Sequence, residues 1–284
     1  MTNKYLEDLK NQFSNKVAIV TGSTQGSGAE TAKLLAHRGI LGITICGRNE
    51  EQGLKIKSEI ESIGSQCVFV KADLNEVDDC RNIVKKTDEV FGKVHCLINV
   101  AGFTERGTIL STTIDNFNKN FNINTRAPFL LMQESIKIMI REKIQGTILN
   151  ILSMAMYSGM PFLTAYSGSK AALAIIIKNI ANGVSGHQIR VNGLNIGWTD
   201  TPGEDTIQRK FHNGGDDWLQ KAEVKVPFKR LTKSIDVARA AAFFCSKESG
   251  LVTGSIIDYD QTVNGWHSYS AYDTSIMDDS LLGE

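Results

Sequence analysis

Residues 16–28 read Lys-Val-Ala-Ile-Val-Thr-Gly-Ser-Thr-Gln-Gly-Ser-Gly, and this stretch decides the fold. The β-branched run at 17–20 is typical of a buried strand. A segment with apolar residues at helical spacing follows, and Gly39 is expected to end it. A glycine turn between a strand and a helix directs backbone N–H groups towards an anion and lets a pyrophosphate approach closely. We predict a dinucleotide phosphate site here, with a tight turn that binds no ligand as the alternative. Its residues are Gly22, Ser23, Thr24, Gln25, Gly26, Ser27 and Gly28.

Strand and helix patterns alternate along the rest of the chain. Further strands are predicted at 41–46, 67–71, 94–100, 147–152, 189–195 and 255–259. Helices are predicted at 50–63, 76–91, 115–142, 163–184 and 234–246, and a polar segment at 199–225. Strands separated by helices pair in parallel, and apolar strand cores require helices on both faces. The predicted fold is a doubly wound parallel α/β sheet, Rossmann-like, with about seven strands.

Composition narrows the class of protein. The 284 residues carry 31 Lys and Arg against 31 Asp and Glu, and 42% are hydrophobic. These values argue against collagen, extended disorder and a polybasic nucleic-acid binder. No apolar run is long enough to cross a bilayer. We expect one domain over residues 1–284, with its core at 16–262, a short N-terminal extension and an acidic tail after Trp266.

The cysteines and histidines indicate where the protein acts and which sites it lacks. The first fifteen residues have no apolar stretch of a signal peptide. The five cysteines include no Cys-x-x-Cys pair, which favours buried free thiols in a reducing compartment. We therefore predict a cytoplasmic protein without nucleic-acid or membrane partners. The five histidines show no metal-ligand spacing, so no metal site is predicted.

Tyr166 and Lys170 place a phenol and an ammonium four residues apart near the start of a predicted helix. At this spacing the two side chains share one helix face. A nearby cation favours the phenolate and lowers the pKa of a tyrosine from its usual value of about 10. The pair is thus a candidate general acid or base, although such pairs also arise by chance.

These motifs resemble the short-chain dehydrogenase/reductase family in its compact single-domain type. The turn at 21–28 has the spacing Thr-Gly-x-x-x-Gly-x-Gly, and Tyr-x-x-x-Lys lies thirteen residues after Ser153. The resemblance covers about residues 16–262. It implies hydride transfer between a nicotinamide cofactor and a secondary alcohol or ketone, with Tyr166 as general acid or base. It also implies that Ser153 holds the substrate oxygen, that Lys170 binds the nicotinamide ribose, and that Asn124 holds a water in a proton relay.

The resemblance implies further cofactor contacts after the later strands. Asp73 and Leu74 match the position beside the adenine, and Asn99, Ala101 and Gly102 match an Asn-Asn-Ala-Gly signature. Gly197, Thr199 and Thr201 lie where the family contacts the carboxamide or a phosphate, although Ile196 replaces the usual proline. Asp260-Gln261-Thr262 departs from the usual Asp-Gly-Gly, which leaves the local loop shape open.

The second predicted strand favours NADP(H) over NAD(H). An NAD site places a carboxylate about twenty residues after the glycines, to bind the ribose 2′-hydroxyl. This strand instead ends Cys46-Gly47-Arg48-Asn49. A guanidinium can donate hydrogen bonds to a 2′-phosphate, and no carboxylate is present there to repel the phosphate. The alternative is that Arg48 is an ordinary solvated residue.

Three segments are candidates for the lining of the substrate pocket. Segments 103–108, 154–162 and 199–225 are candidate pocket linings, the last as a mobile lid. Four of their side chains are candidate pocket residues, and the alternative is that each is an ordinary packing or surface residue. They are Arg106, Tyr157, His212 and Trp218. A sugar, a polyol, a steroid-like alcohol and a small ketone all remain open as substrates.

Two further hypotheses concern partners and class. Apolar residues beyond one face of the helices at 115–142 and 163–184 indicate burial against another subunit, and the resemblance implies a homodimer or homotetramer. The alternative to an enzyme is a non-catalytic dinucleotide-binding redox sensor of the same fold. The glycine spacing disfavours a sugar epimerase.

Overall fold

The structure is a computed structural model that describes residues 8–262. The predicted tail after Trp266 lies outside the described residues. The strands are β1 Val17–Val20, β2 Gly42–Gly47, β3 Gln66–Lys71, β4 Cys96–Asn99, β5 Thr147–Ser153, β6 Arg190–Ile196, β7 Thr199–Asp200, β8 Thr232–Lys233 and β9 Ile256–Tyr259. The helices are α1 Gly26–His37, α2 Glu50–Ile63, α3 Val77–Phe91, α4 Ile114–Phe121, α5 Ala127–Arg141, α6 Thr164–Gly183, α7 Pro202–Phe211, α8 Trp218–Lys225 and α9 Ser234–Cys245.

Seven strands form one parallel sheet in the order β3-β2-β1-β4-β5-β6-β9. The order reverses between β1 and β4, whose registers pair Ala18 with Cys96 and Val20 with Ile98. Such a reversal opens a crevice beyond the carboxyl ends of the strands, where ligands bind in open α/β sheets. The short strands β7 and β8 pair with each other in a separate two-stranded sheet.

Two apolar layers cover the sheet. On one face α1 and α9 bury Leu35 and Val237 against the strands, and on the other α5 and α6 bury Leu131 and Ile177. Strands that are buried on both sides need apolar residues at successive positions, as β1 has. The predicted doubly wound sheet of about seven strands is confirmed. Phe13, within the predicted N-terminal extension, is fully buried in the first layer.

Two predicted elements are wrong, whereas the other helices and strands agree within two residues. The helix predicted at 115–142 is interrupted by a π-helical turn at Asn122–Arg126, which separates α4 from α5. The polar segment predicted at 199–225 contains α7 and α8. Thr201 begins α7 as its N-cap, because its Oγ1 accepts the Glu204 N–H at 3.1 Å. Of the helices between residues 8 and 262, none has the length and apolar composition that a bilayer crossing demands.

Candidate active site

The turn after β1 forms a cradle of bare backbone. Gly22 and Gly26 have φ values of 61° and 56°, in the left-handed region that glycine adopts most easily. A Cβ on Gly22 would lie 2.8 Å from Ala101 Cα, and one on Gly28 would overlap the Gly22 carbonyl oxygen. Helix α1 begins directly behind the turn, and its N-cap, Gln25, makes no side-chain cap. A close-fitting cradle at an uncapped helix N-terminus suits a pyrophosphate.

Two predicted phosphate-binding serines use their hydroxyls inside the protein. Ser23 Oγ donates to Val20 O at 2.6 Å and accepts the Cys46 N–H at 3.0 Å, which ties the turn to β2. Ser27 Oγ lies 3.5 Å from Ser234 Oγ at the start of α9. Thr24 packs its side chain over Gly47. The Ser23 hydroxyl is therefore already engaged, which leaves the glycine backbone as the candidate anion-binding surface of this turn.

The residues predicted beside the adenosine surround the ends of β2 and β3. Arg48 is exposed, and it forms no ion pair within residues 8–262. Asp73 Oδ1 accepts the Asn75 N–H at 2.9 Å, which shapes the turn after β3. Leu74 packs its side chain against the apolar cluster at the start of α5. A free guanidinium at this edge is available to an added phosphate.

The segment after β4 is held against the glycine turn. Thr21 Oγ1 accepts the N–H groups of Val100 and Ala101 at 3.1 and 3.2 Å. Asn99 Nδ2 donates to Asn150 Oδ1 at 2.8 Å, which links the end of β4 to the middle of β5. A Cβ on Gly102 would lie 3.7 Å from both Asn124 Oδ1 and Lys170 Nζ. Gly102 thus connects the cofactor turn with two of the predicted catalytic residues.

Tyr166 and Lys170 both lie in the first two turns of α6. Lys170 is 3% exposed, its Nζ donates to Ile151 O at 2.9 Å, and it lies 5.9 Å from the centroid of the Tyr166 ring. Burial lowers the pKa of Lys170 to about 8. An ammonium in a buried site keeps its proton less readily than one in water, because the site solvates charge poorly.

The pKa of Tyr166 is raised, which is opposite to the expectation from its spacing to Lys170. Desolvation of the phenol is the largest cause, and the side chain of Ser153 and the positive charge of Arg106 act in the opposite direction. Lys170 is not among the groups that shift the pKa of the phenol, and its ammonium donates to the Ile151 carbonyl. Arg106 is therefore the cation that most affects the phenol.

Asn124 lies in the π-helical turn, and its amide is fully engaged. Its Oδ1 accepts the Phe103 N–H at 2.9 Å, and its Nδ2 donates to Phe103 O at 2.8 Å and to Ser169 Oγ at 3.0 Å. The side chain thus joins the segment after β4 to α6. Single π turns occur often at functional sites, since they displace one residue from the regular helix. Ser153, at the end of β5, accepts the Ala155 N–H through Oγ at 3.2 Å.

Close packing and hydrogen bonds shape the turn after β6 and the residues after β9 that contact it. A Cβ on Gly197 would overlap the Asp260 carboxylate, so the glycine is required by close packing. Thr199 Oγ1 donates to Gly197 O at 2.9 Å, and Thr201 lies 3.6 Å from a Cβ position on Gly26. Gln261, in place of the usual glycine, accepts the Phe228 N–H at 2.7 Å and donates to Arg230 O at 2.8 Å.

The segment predicted as a polar lid has a core of its own. Trp218 is 7% exposed and clusters with Ala222, Val226 and Leu231. Its ring stacks on Trp198 with centroids 6.3 Å apart, and its Nε1 donates to Asp205 Oδ1 at 2.7 Å. Of the four candidate pocket side chains, Trp218 is therefore a packing residue. Tyr157 is 43% exposed.

Arg106 and His212 are 106 positions apart in the sequence but in contact in the fold. Arg106 Nε donates to His212 Nε2 at 3.2 Å, and both side chains contact the Phe162 ring, with distances of 5.6 Å to its centroid. Neither residue belongs to a spacing motif, so the sequence alone could name them only as candidates. The fold brings them together at Phe162, four residues before Tyr166.

Comparison with known proteins identifies the family. Residues 22–264 match the family model described as enoyl-(acyl carrier protein) reductase. An uncharacterized oxidoreductase of Thermotoga maritima is 34% identical over 248 residues, which cover 87% of this chain and 97% of the relative. The 2,5-dichloro-2,5-cyclohexadiene-1,4-diol dehydrogenase LinX of Sphingobium indicum is 29% identical, over 91% of this chain and 98% of its own.

A solved structure gives the same result. A dehydrogenase/reductase from Sinorhizobium meliloti superposes with a TM-score of 0.79 at 26% identity, over 90% of this chain and 98% of its own. The seven-stranded parallel sheet and the glycine turn agree with this likeness. The chain therefore belongs to the short-chain dehydrogenase/reductase family of oxidoreductases.

Proposed function

We propose that the protein is an NADP(H)-dependent oxidoreductase that interconverts a secondary alcohol and a ketone, with Tyr166 as general acid or base. The observation that carries the proposal is a cluster next to the glycine cradle. Asn124 and Lys170 meet at Gly102, Lys170 Nζ lies 5.9 Å from the centroid of the Tyr166 ring, and the Ser153 side chain interacts with the phenol. A redox sensor of the same fold would need the cradle but no proton donor. Five buried, unpaired cysteines support action in the cytoplasm.

The residues present fit a dinucleotide. The backbone of Gly22, Gly26 and Gly28 would hold its pyrophosphate, Arg48 its 2′-phosphate, and Lys170 its nicotinamide ribose. NADP(H), when bound, supplies or accepts the hydride. The remaining chemistry is proton transfer, which falls to the protein.

Tyr166 is suited to the reductive direction. Reduction of a ketone places negative charge on the substrate oxygen, which must receive a proton. The phenol keeps its proton at neutral pH, because burial raises its pKa. Ser153 would donate a hydrogen bond to the same oxygen and hold it in line with the phenol. For alcohol oxidation the phenol must first lose its proton, which Arg106 and Ser153 favour.

Asn124 and Lys170 support this transfer in different ways. The Asn124 amide fixes the segment after β4 against α6, and the π turn around it would hold a water of the proton relay. Lys170, with a pKa of about 8, exchanges a proton near neutral pH more readily than an exposed lysine. Both roles rest on the family resemblance together with these contacts.

The experiment that tests the proposal is Tyr166→Phe. We expect turnover to fall by about 10³-fold, as is typical when a general acid is removed, while NADPH affinity measured by fluorescence stays within about twofold. Tyr259→Phe, on β9, is the matched control and should retain activity. Activity is followed by absorbance of the nicotinamide band across a panel of alcohols and ketones. Full activity in Tyr166→Phe would remove the phenol from the chemistry, and a blank panel with intact NADPH binding would favour the sensor.

A further inference from the structure

Arg106 lies on the segment between β4 and α4, which is tied to the start of α6. Gly107 bridges to Leu163, and its N–H donates to Phe162 O at 3.0 Å. Tyr166 follows three residues later. The guanidinium lies close enough to the phenol for each charge to shift the pKa of the other. Arg106 is thus held over the Phe162 ring, four residues before Tyr166.

Neutral groups hold the guanidinium in place. Its Nε donates to His212 Nε2 at 3.2 Å, its Nη1 donates to Thr104 Oγ1 at 2.7 Å, and its plane lies over the Phe162 ring. His212 accepts this bond as a neutral imidazole, because burial and the charge of Arg106 lower its pKa. The orientation of the planar fork is therefore fixed from three sides, which suits recognition of a planar partner.

Arg106 has no counter-ion of its own. Among residues 8–262, no carboxylate oxygen lies within 4 Å of it, whereas Arg209, Lys210 and Lys233 of the neighbouring segments all form ion pairs. The carboxylate that acts on it from further away is Glu204, which is bonded to Trp198 Nε1 at 2.8 Å and Gln208 Nε2 at 2.7 Å.

A partly buried charge without a partner is unfavourable unless a ligand provides one. We propose that Arg106 binds a carboxylate on the substrate, and hence that the substrate is a hydroxy acid or oxo acid whose reacting carbon lies at Tyr166. This inference rests on the proposed function. A carboxylate accepts two parallel N–H bonds from a guanidinium, which would set the orientation of the reacting carbonyl. Arg106 is then a specificity-determining residue.

The test compares acids with their neutral analogues. A series of oxo acids and the matching primary amides is assayed with NADPH on the protein and on Arg106→Gln. We expect the acids to lose about 100-fold in kcat/KM in the variant, because a charged partner is left unpaired, while the amides change less than about threefold. Binding of the same acids to the NADP-loaded protein, measured by calorimetry, should weaken in parallel.

Lys210→Gln is the matched control. Lys210 Nζ donates to Glu105 Oε1 at 2.9 Å and thereby joins the same two segments as the Arg106–His212 contact, without touching Arg106. If Arg106 had a purely structural role, Arg106→Gln would lower the turnover of acids and amides alike. Arg106→Lys keeps the positive charge and should restore part of the preference for acids. Equal turnover of amides and acids by the unaltered protein would overturn the carboxylate site but leave the proposed function intact. If neither acids, amides nor plain ketones are reduced, the proposed function itself fails.

Discussion

Lys170, for which we propose a role in the chemistry, destabilises the folded protein while its buried side chain is charged. The folded protein releases its proton near pH 8, whereas the unfolded chain keeps it to the ordinary value of 10.5. Below pH 8 both states bind this proton, and the penalty of burying the charge is fully present. Between pH 8 and 10.5 the unfolded state binds the extra proton, so the free energy of unfolding rises with pH.

We therefore expect Lys170→Met to abolish this rise. Relative to the variant, the protein should gain up to about 1.4 kcal/mol per pH unit between pH 8 and 10, measured as the free energy of unfolding in urea. The lost bond from Nζ to Ile151 O shifts the whole curve and leaves its slope unaffected. Lys178→Met, exposed on the same helix, should keep the slope of the unaltered protein. If the free energy of unfolding depends on pH in the same way in Lys170→Met and in the parent protein, the site does not lower the pKa of Lys170.

The proposed preference for NADP(H) depends on a single exposed side chain, Arg48. A guanidinium that pairs with a 2′-phosphate gains a charge-assisted hydrogen bond that NADH does not offer. We expect Arg48→Ala to weaken NADPH binding about tenfold and to leave NADH binding unchanged, by fluorescence titration. Arg81→Ala, exposed on α3, is the control for loss of one positive charge. Equal affinity of the unaltered protein for NADPH and NADH would contradict the preference.

At the scale of elements, the sequence predicted what periodicity and local turns encode. The sequence predicts the correct limits of the strand at 17–20 and of the helix at 50–63. The residues that begin and end each of these elements lie within or next to it in the sequence. The π turn was not predicted, although Pro128 inside the helix predicted at 115–142 is a signal for an interruption. Helix α7 was missed because its residues are polar, although Thr201-Pro202 followed by Glu204 is a helix-start signal.

The candidate site divides in the same way. The glycine turn and the Tyr166–Lys170 pair were predicted because each lies within a few residues of sequence. The contact of Arg106 with His212 was not, since only the packing of α7 over the segment after β4 creates it. The sign of the Tyr166 pKa shift was also wrong, because burial is a tertiary property that spacing does not reveal.

At the scale of the whole molecule, two of the helices on one face of the sheet leave apolar side chains on their outer surface. α5 and α6 bury Leu131 and Ile177 inward, yet Phe129 is 40% exposed and Ile175 is 59% exposed. Burying such residues against a second copy would remove apolar area from water. We expect ultracentrifugation to give a mass of two or four chains of 31.2 kDa.

The double variant Phe129→Glu and Ile175→Glu tests this surface directly, because two buried, unpaired carboxylates per subunit would make the contact unfavourable. It should sediment as a monomer and keep its thermal midpoint within a few degrees, since both side chains lie outside the core. Leu54→Glu is the matched control, because Leu54 is 52% exposed on α2 and should leave the assembly intact. A double variant that keeps the assembly would assign the contact to another face, and an unaltered protein that sediments as a monomer would refute the predicted assembly.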